Sequence, residues 1–160
     1  MALVVTFVGQ WPLPLQQTAE RVQAALQEEL GSKIGASPGI VNIKLVDDAE
    51  IARLNKQYTG NAYATDVLTF PYTEQVSQVG LESGAEELAD MVISVEMAAR
   101  QARAAGTSLA DEVGLLVLHG LLHALGYDHT TPDEQARLDQ LQRRVMALAP
   151  INYREFEWKD

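Results

Sequence analysis

Residues 119–129 read His119-Gly120-Leu121-Leu122-His123-Ala124-Leu125-Gly126-Tyr127-Asp128-His129, and this segment holds all three histidines of the 160-residue chain. On a helix, residues four apart share a face, so the rings of His119 and His123 can converge on one point. Gly126 suits the end of that helix, because glycine takes the left-handed conformation at little cost. The chain can then turn back and bring His129 toward the same point. A single histidine among Leu118, Leu121, Leu122 and Leu125 would be ordinary as a hydrogen-bonded core residue. Three uncharged imidazoles buried without partners would instead leave several nitrogens unsatisfied, at roughly 1–3 kcal/mol each. One shared ion satisfies them together. Three neutral imidazoles with an open fourth position compose a catalytic zinc site, so the spacing predicts one Zn2+ per chain on His119, His123 and His129. Nickel, cobalt and iron accept the same ligands.

The spacing His-x-x-x-His-x-x-Gly-x-x-His is also that of the metzincin metallopeptidases, in which a glutamate after the first histidine serves as general base. Here that position is Gly120, which neither accepts a proton nor orients a water, so peptidase chemistry would need a base from elsewhere. A zinc ion lowers the pKa of bound water to about 7 and polarises a phosphoryl or carbonyl oxygen, and either role suits hydrolysis. Asp128 is the carboxylate nearest the ligands. It can serve as general base, or accept a histidine N–H and so fix that ring's tautomer and orientation. The second role is favoured, because adjacent residues rarely point at one spot.

The histidine segment resembles the signature of the YbeY family of bacterial rRNA maturation factors, described as metal-dependent endoribonucleases. Further blocks resemble that family in the expected order: Leu45-Val46-Asp47-Asp48-Ala49-Glu50-Ile51, Leu54-Asn55, Thr65-Asp66-Val67-Leu68-Thr69-Phe70-Pro71, and Asp90-Met91-Val92-Ile93-Ser94 followed by Gln101-Ala102. Together they span about residues 40–145, and an ordered set is far more specific than one motif. The resemblance implies a metal-dependent single-strand endoribonuclease acting in 16S rRNA 3′-end maturation and ribosome quality control. RNA and ribosomal particles or a ribosomal protein would be its partners. It further implies that the Thr65-Asp66-Val67 turn borders the cleft, which makes Asp66 a second candidate base and Thr59 and Thr65 candidate substrate contacts. Taken alone, Asp66 would be a turn residue bonding its own backbone. One position departs from the pattern. The family commonly carries Tyr-Arg-Gly where this chain has Tyr58-Thr59-Gly60, and a guanidinium there would favour the negative charge developing on a phosphodiester. Two other readings stand beside the leading one: a metallopeptidase-like hydrolase lacking the usual glutamate, and a non-catalytic ribosome assembly factor with a vestigial metal site, which Thr59 keeps open.

A net charge of −10 argues against generic nucleic-acid binding, which relies on many lysine and arginine contacts to phosphates. An RNA substrate would then need a local basic patch or a partner that presents it. Arg137, Arg143 and Arg144 lie near the histidines in sequence, and Arg53 and Lys56 near Thr59, although most should be solvated helix faces. The absence of cysteine rules out disulfides, thiolate ligands and a cysteine nucleophile, and suits a reducing compartment. The length suits one domain, residues 1–160. Met1 to Val8 is apolar without a basic leader, so a first strand explains it better than a signal peptide. Val113–Leu125 is too short to span a bilayer. A cytoplasmic protein without membrane or DNA partners is expected.

The elements that must position the histidines are legible in the same way. β-Branched runs at 3–8, 40–46, 67–70 and 91–95 predict strands. Leu15, Ala19, Val22, Leu26 and Leu30 recur at helical spacing and should face a sheet. Asp47 and Glu50 predict a cap for a helix with Ile51, Leu54 and Tyr58 inward. Tyr72 to Leu88 reads as an exposed excursion. A short helix should follow Ser94 and end at Gly106, and Ser108 and Asp111 should cap the apolar helix bearing the first two ligands. That helix is apolar nearly all round and should sit centrally. Thr131-Pro132-Asp133-Glu134 starts a last helix that buries Leu138, Leu141, Val145 and Leu148. Tyr127 and Phe70 could stack on a base, with core packing the simpler role for both. The expected fold class is α+β, a small mixed four-stranded sheet covered by about five helices.

Overall fold

A computed structural model describes residues 3–31, 39–72, 87–127 and 130–152. In chain order its elements are β1 (Leu3–Val8), α1 (Leu13–Leu30), β2 (Gly39–Val46), α2 (Asp48–Thr59), β3 (Val67–Pro71), β4 (Glu87–Ser94), α3 (Val95–Ala105), α4 (Leu109–Ala124) and α5 (Pro132–Leu148). The four strands form one sheet in the order β1-β2-β4-β3. β1, β2 and β4 run parallel, while β3 pairs antiparallel with β4 and forms an edge. The expected α+β class, mixed sheet and helices are all present.

Period-two alternation decides which sheet face is covered. Val41, Ile43, Met91 and Ile93 are buried beneath helices, and Asn42, Lys44 and Asp90 alternate onto the opposite face. The α1 stripe of Leu15, Ala19, Val22, Leu26 and Leu30 is buried throughout, and α1 lies against α4 and α5. Every residue of α4 from Glu112 to Leu122 is buried, as its apolar circumference requires. Where α4 crosses the sheet, Gly120 permits a close approach. A Cβ there would meet Met91 Cε at 2.1 Å, Met91 Sδ at 2.7 Å and Thr69 Oγ1 at 3.3 Å. No single helix among the described residues is long and apolar enough to cross a membrane.

Side-chain caps set the starts of the helices around the histidines. Asp47 accepts from Glu50 N–H at 2.8 Å, Ser108 from Asp111 N–H at 3.0 Å and Thr131 from Glu134 N–H at 3.1 Å, all as expected. Ser94 caps α3 in the same way, through Met97 N–H at 3.1 Å.

Four local expectations need correction. Tyr58 is 47 % exposed and packs on Phe70 with ring centroids 4.4 Å apart, while Asn55, 3 % exposed, takes the inward position one turn after Ile51. Leu148 is 46 % exposed, because Val145 and Met146 occupy the inward face of the last turn of α5. β4 begins at Glu87 and so absorbs Leu88. The polar Glu87 and Asp90 hid its first half, yet their carboxylates accept from Asn42 Nδ2, each at 3.0 Å, on the face away from α4. Tyr72 is buried rather than exposed, and its hydroxyl donates to Asp90 Oδ1 at 2.6 Å; residues 73–86 of the expected excursion lie outside the described residues.

Burial, followed by the Asp90 carboxylate, pushes the Tyr72 phenol up from 10.0 to about 12. Its contribution to stability is therefore full below pH 10 and lost as pH rises toward about 12, because the unfolded chain ionises first. Tyr72→Phe should be less stable than the parent at pH 8, by about 1.5–3 kcal/mol for a hydrogen bond to a charged group. The gap between the two should narrow above pH 10. Denaturant titrations at several pH values check this, and a gap constant up to pH 12 would refute it.

Candidate metal centre and cleft

His119 and His123 lie one turn apart near the end of α4, with ring centroids 4.6 Å apart and planes tilted by 48°. Burial of the helix holds them in register, and His119 is itself buried. Past His123 the helix ends as the sequence predicts. Gly126 has φ +88°, its N–H donates to His123 O at 3.0 Å, and Tyr127 N–H reaches back to Leu122 O at 3.0 Å. This is a Schellman reversal, which redirects the chain immediately after the pair. Asp128 and His129 lie outside the described residues. Among the described residues no three ligand-type side chains gather as a set, so an ion held by this pair would require a further donor, the role expected of His129. Two imidazoles from one rigid helix, opening on a cavity, suit a borderline-soft divalent cation such as zinc.

That cavity has a volume of about 330 Å³. Its walls are the two histidines, the edge strand β3 from Val67 to Thr69 with Pro71, and residues of α2 and the α2–β3 connection. Thr59, Thr65 and Asp66 all line it beside His119 and His123, so the fold brings together sequence candidates about sixty residues apart.

Each of these residues is also tied locally. Thr59 Oγ1 lies 2.8 Å from Asn55 O and 2.7 Å from Asn55 Oδ1, and accepts from Asn61 N–H at 3.2 Å. Asp66 Oδ1 accepts from Val67 N–H at 2.8 Å, Oδ2 accepts from Gln101 Nε2 at 3.3 Å, and Asp66 O accepts from Ser94 N–H at 2.9 Å. It thus makes the backbone bond of a turn aspartate and pins the start of β3 to α3, while still facing the cavity.

Sequence reasoning missed Asn55, Asn61, Tyr63 and Thr69 as cavity residues. Asn55 was findable, since a polar side chain one turn after a buried Ile51 breaks the apolar stripe. The others needed the fold. Of the two aromatics considered for stacking, Phe70 packs against Tyr58, whereas Tyr127 is 38 % exposed and is not a core residue. Tyr127 directly follows the left-handed Gly126, which turns the chain out of the core.

Among the described residues, no lysine or arginine lines the cavity. Arg53 is held by Glu50 at 2.6 Å, and that pairing raises the guanidinium's pKa and lowers the carboxyl's. Asp48 is likewise held below the usual carboxyl range by the Ser94 hydroxyl and by Arg100 at 2.7 Å. Arg144 pairs with Glu29 of α1. The cations near the site in sequence are therefore engaged elsewhere or absent from its walls.

Residues 10–149 match the family model described as Endoribonuclease YbeY. The protein of that name from Alkalilimnicola ehrlichii is 39% identical over 148 residues, covering 91% of this chain and 85% of the relative. That from Symbiobacterium thermophilum is 35% identical over 145 residues, 90% of each chain. The fold is similar to the solution structure of a Thermotoga maritima protein, with a TM-score of 0.53 and 25% identity over 91% of this chain and 89% of that one.

Proposed function

The chain belongs to the YbeY endoribonuclease family, and we propose that its histidine-lined cavity cuts single-stranded RNA with the help of one bound zinc ion. The observation that carries this reading is the adjacent pair His119 and His123 on the wall of a cleft that also holds Thr59, Thr65 and Asp66. His119 and His123, with His129, would hold the ion, which when bound lowers the pKa of water and offsets charge on a phosphoryl oxygen. Burial of α4 orients the two imidazoles. Asp66, with both oxygens already accepting hydrogen bonds, fixes the turn that presents Thr65 to the phosphodiester. Asp128 accepts a histidine N–H or the proton released in hydrolysis. Thr59 and Thr65 hydrogen-bond the substrate without neutralising it.

In the cell, the reading extends to 3′-end maturation of 16S rRNA and ribosome quality control in the cytoplasm. A chain with net charge −10 and a cleft whose described lining includes no lysine or arginine gains little from phosphate electrostatics. A ribosomal particle or protein that presents the RNA supplies what the chain lacks. The test is cleavage of single-stranded against duplex RNA, with zinc or a chelator, with and without ribosomal particles. No metal-dependent cleavage under any of these conditions would overturn the reading and leave the non-catalytic assembly factor. Metal-dependent peptide cleavage would instead favour the metallopeptidase.

Thr59 provides a sharper test of mechanism. A threonine offers a hydrogen bond but no charge to the transition state, so Thr59→Arg should raise kcat about tenfold, below the ~10²–10³ of a fully preorganised donor. KM should change less, because a transition-state interaction appears in kcat and uniform binding in KM. Unchanged turnover in both Thr59→Arg and Lys56→Ala, with ribosomal particles present, would refute cation-assisted cleavage.

A further inference from the structure

We propose, resting on the reading of the cavity as an RNA-cutting site, that Tyr63 is a stacking platform for a nucleobase and that the cleft recognises the adjoining nucleoside through neutral groups. Tyr63 lines the cavity with the histidines yet is 57 % exposed. An exposed tyrosine on a connection contributes little to the core. Its backbone, by contrast, is held: Asn55 Nδ2 donates to Tyr63 O at 3.1 Å, and Asn55 is 3 % exposed with its Oδ1 engaged by Thr59. A rigid aromatic on a fixed backbone gives contact area at low entropic cost, as in other recognition surfaces built on tyrosine. The contrast with Tyr58 is instructive. Tyr58 is also exposed, but its ring is packed on Phe70, whereas no ring pair among the described residues involves Tyr63.

The rest of the wall fits the same occupant. Asn61 and Thr65 line the cavity with hydrogen-bonding groups, of the kind that reads base edges or a ribose hydroxyl on single-stranded RNA. The volume of about 330 Å³ lies in the range of small-molecule pockets. Among the described residues none on the wall is lysine or arginine, so stacking, rather than charge, anchors the strand beside the histidines. Because every base has a π-face, a stack of this kind tolerates sequence.

The experiment compares the wild type with Tyr63→Ala, Tyr63→Phe and Tyr63→Trp. Each is tested for cleavage and for anisotropy-monitored binding of a single-stranded RNA oligonucleotide and of copies carrying one abasic site at successive positions. Tyr63→Ala should weaken binding about 5- to 150-fold with little change in kcat, and Tyr63→Phe and Tyr63→Trp should restore it. One abasic position should abolish the difference between wild type and Tyr63→Ala. The salt dependence of binding should be the same for both proteins, since stacking releases no counterions. Undiminished binding by Tyr63→Ala, failure of the aromatic variants to restore it, or a penalty that persists at every abasic position would overturn the proposal. Cleavage by the wild type decides the endoribonuclease reading separately. If RNA is bound but not cut, the binding comparison still decides Tyr63, and if RNA is neither bound nor cut both fall.

Discussion

His123→Ala is expected to lose its metal and to cut RNA at less than about 1% of the wild-type rate, since changing even the outer partners of a metal site commonly costs 10–100-fold. The two imidazoles sit one turn apart with centroids 4.6 Å apart, so removing one leaves a single donor on α4. The fold should survive, because His123 is only partly buried and the leucines that pack α4 are untouched. The wild type should also be stabilised by zinc. An ion that binds only the folded state adds about 4 kcal/mol when present at a thousand times its Kd. Zinc should raise the Tm of the wild type and not of the variant, which separates loss of the ion from damage to the helix. Elemental analysis of the protein and of the variant lacking His119, His123 and His129 checks the ligand set. Full metal retention by that triple variant would place the ion elsewhere.

Gly120→Glu tests the other side of the same helix and should be the most damaging single change to the fold considered for α4. In metallopeptidases of this spacing the position carries the base, but here its side chain would enter Met91 and Thr69. A Cβ alone would lie 2.1 Å from Met91 Cε, and Met91 is 1 % exposed. Overpacking of this kind costs about 1–3 kcal/mol, and a carboxylate buried there without a partner adds several more or is forced to take up a proton. Gly120→Glu should therefore unfold at markedly lower denaturant and gain no peptidase activity. Gly120→Ala should be milder, because the methionine end is flexible and alanine recovers about 1 kcal/mol of helix propensity. Shortening Met91 should relieve the clash, so Gly120→Ala and Met91→Ala should couple favourably in a double-mutant cycle. A Gly120→Glu protein as stable as the parent and able to cleave peptides would revive the metallopeptidase reading.

Much of the fold was legible because its signals are local. The caps at Asp47, Ser108 and Thr131 are side chains bonding a backbone three residues away, and the α1 stripe and the histidine pair are consequences of helical period. Gly126 ends α4 through its own backbone freedom. What stayed hidden depended on partners distant in sequence. The polar start of β4 reads as a loop until Asn42, on a neighbouring strand, is seen to satisfy Glu87 and Asp90. Gly120 reads as a missing base until Met91 and Thr69 show that it is a point of close approach between helix and sheet.

The candidate site divides along the same line. By itself the sequence determined the donor types, their spacing and the helix that carries the first two, because each follows from covalent geometry within a few residues. Only the tertiary structure decided what faces them. It set the edge strand β3 and the Asn55-anchored connection against the histidines, and turned Tyr58 onto Phe70 while leaving Tyr63 open in the cleft. It also left every lysine and arginine among the described residues off the cleft wall, whereas the pairing of Arg53 with Glu50 one turn away is local to α2. The reason is physical. Which neighbours a side chain meets across a cleft is chosen by how the helices and sheet bury their apolar faces, and that is a property of the packed chain as a whole.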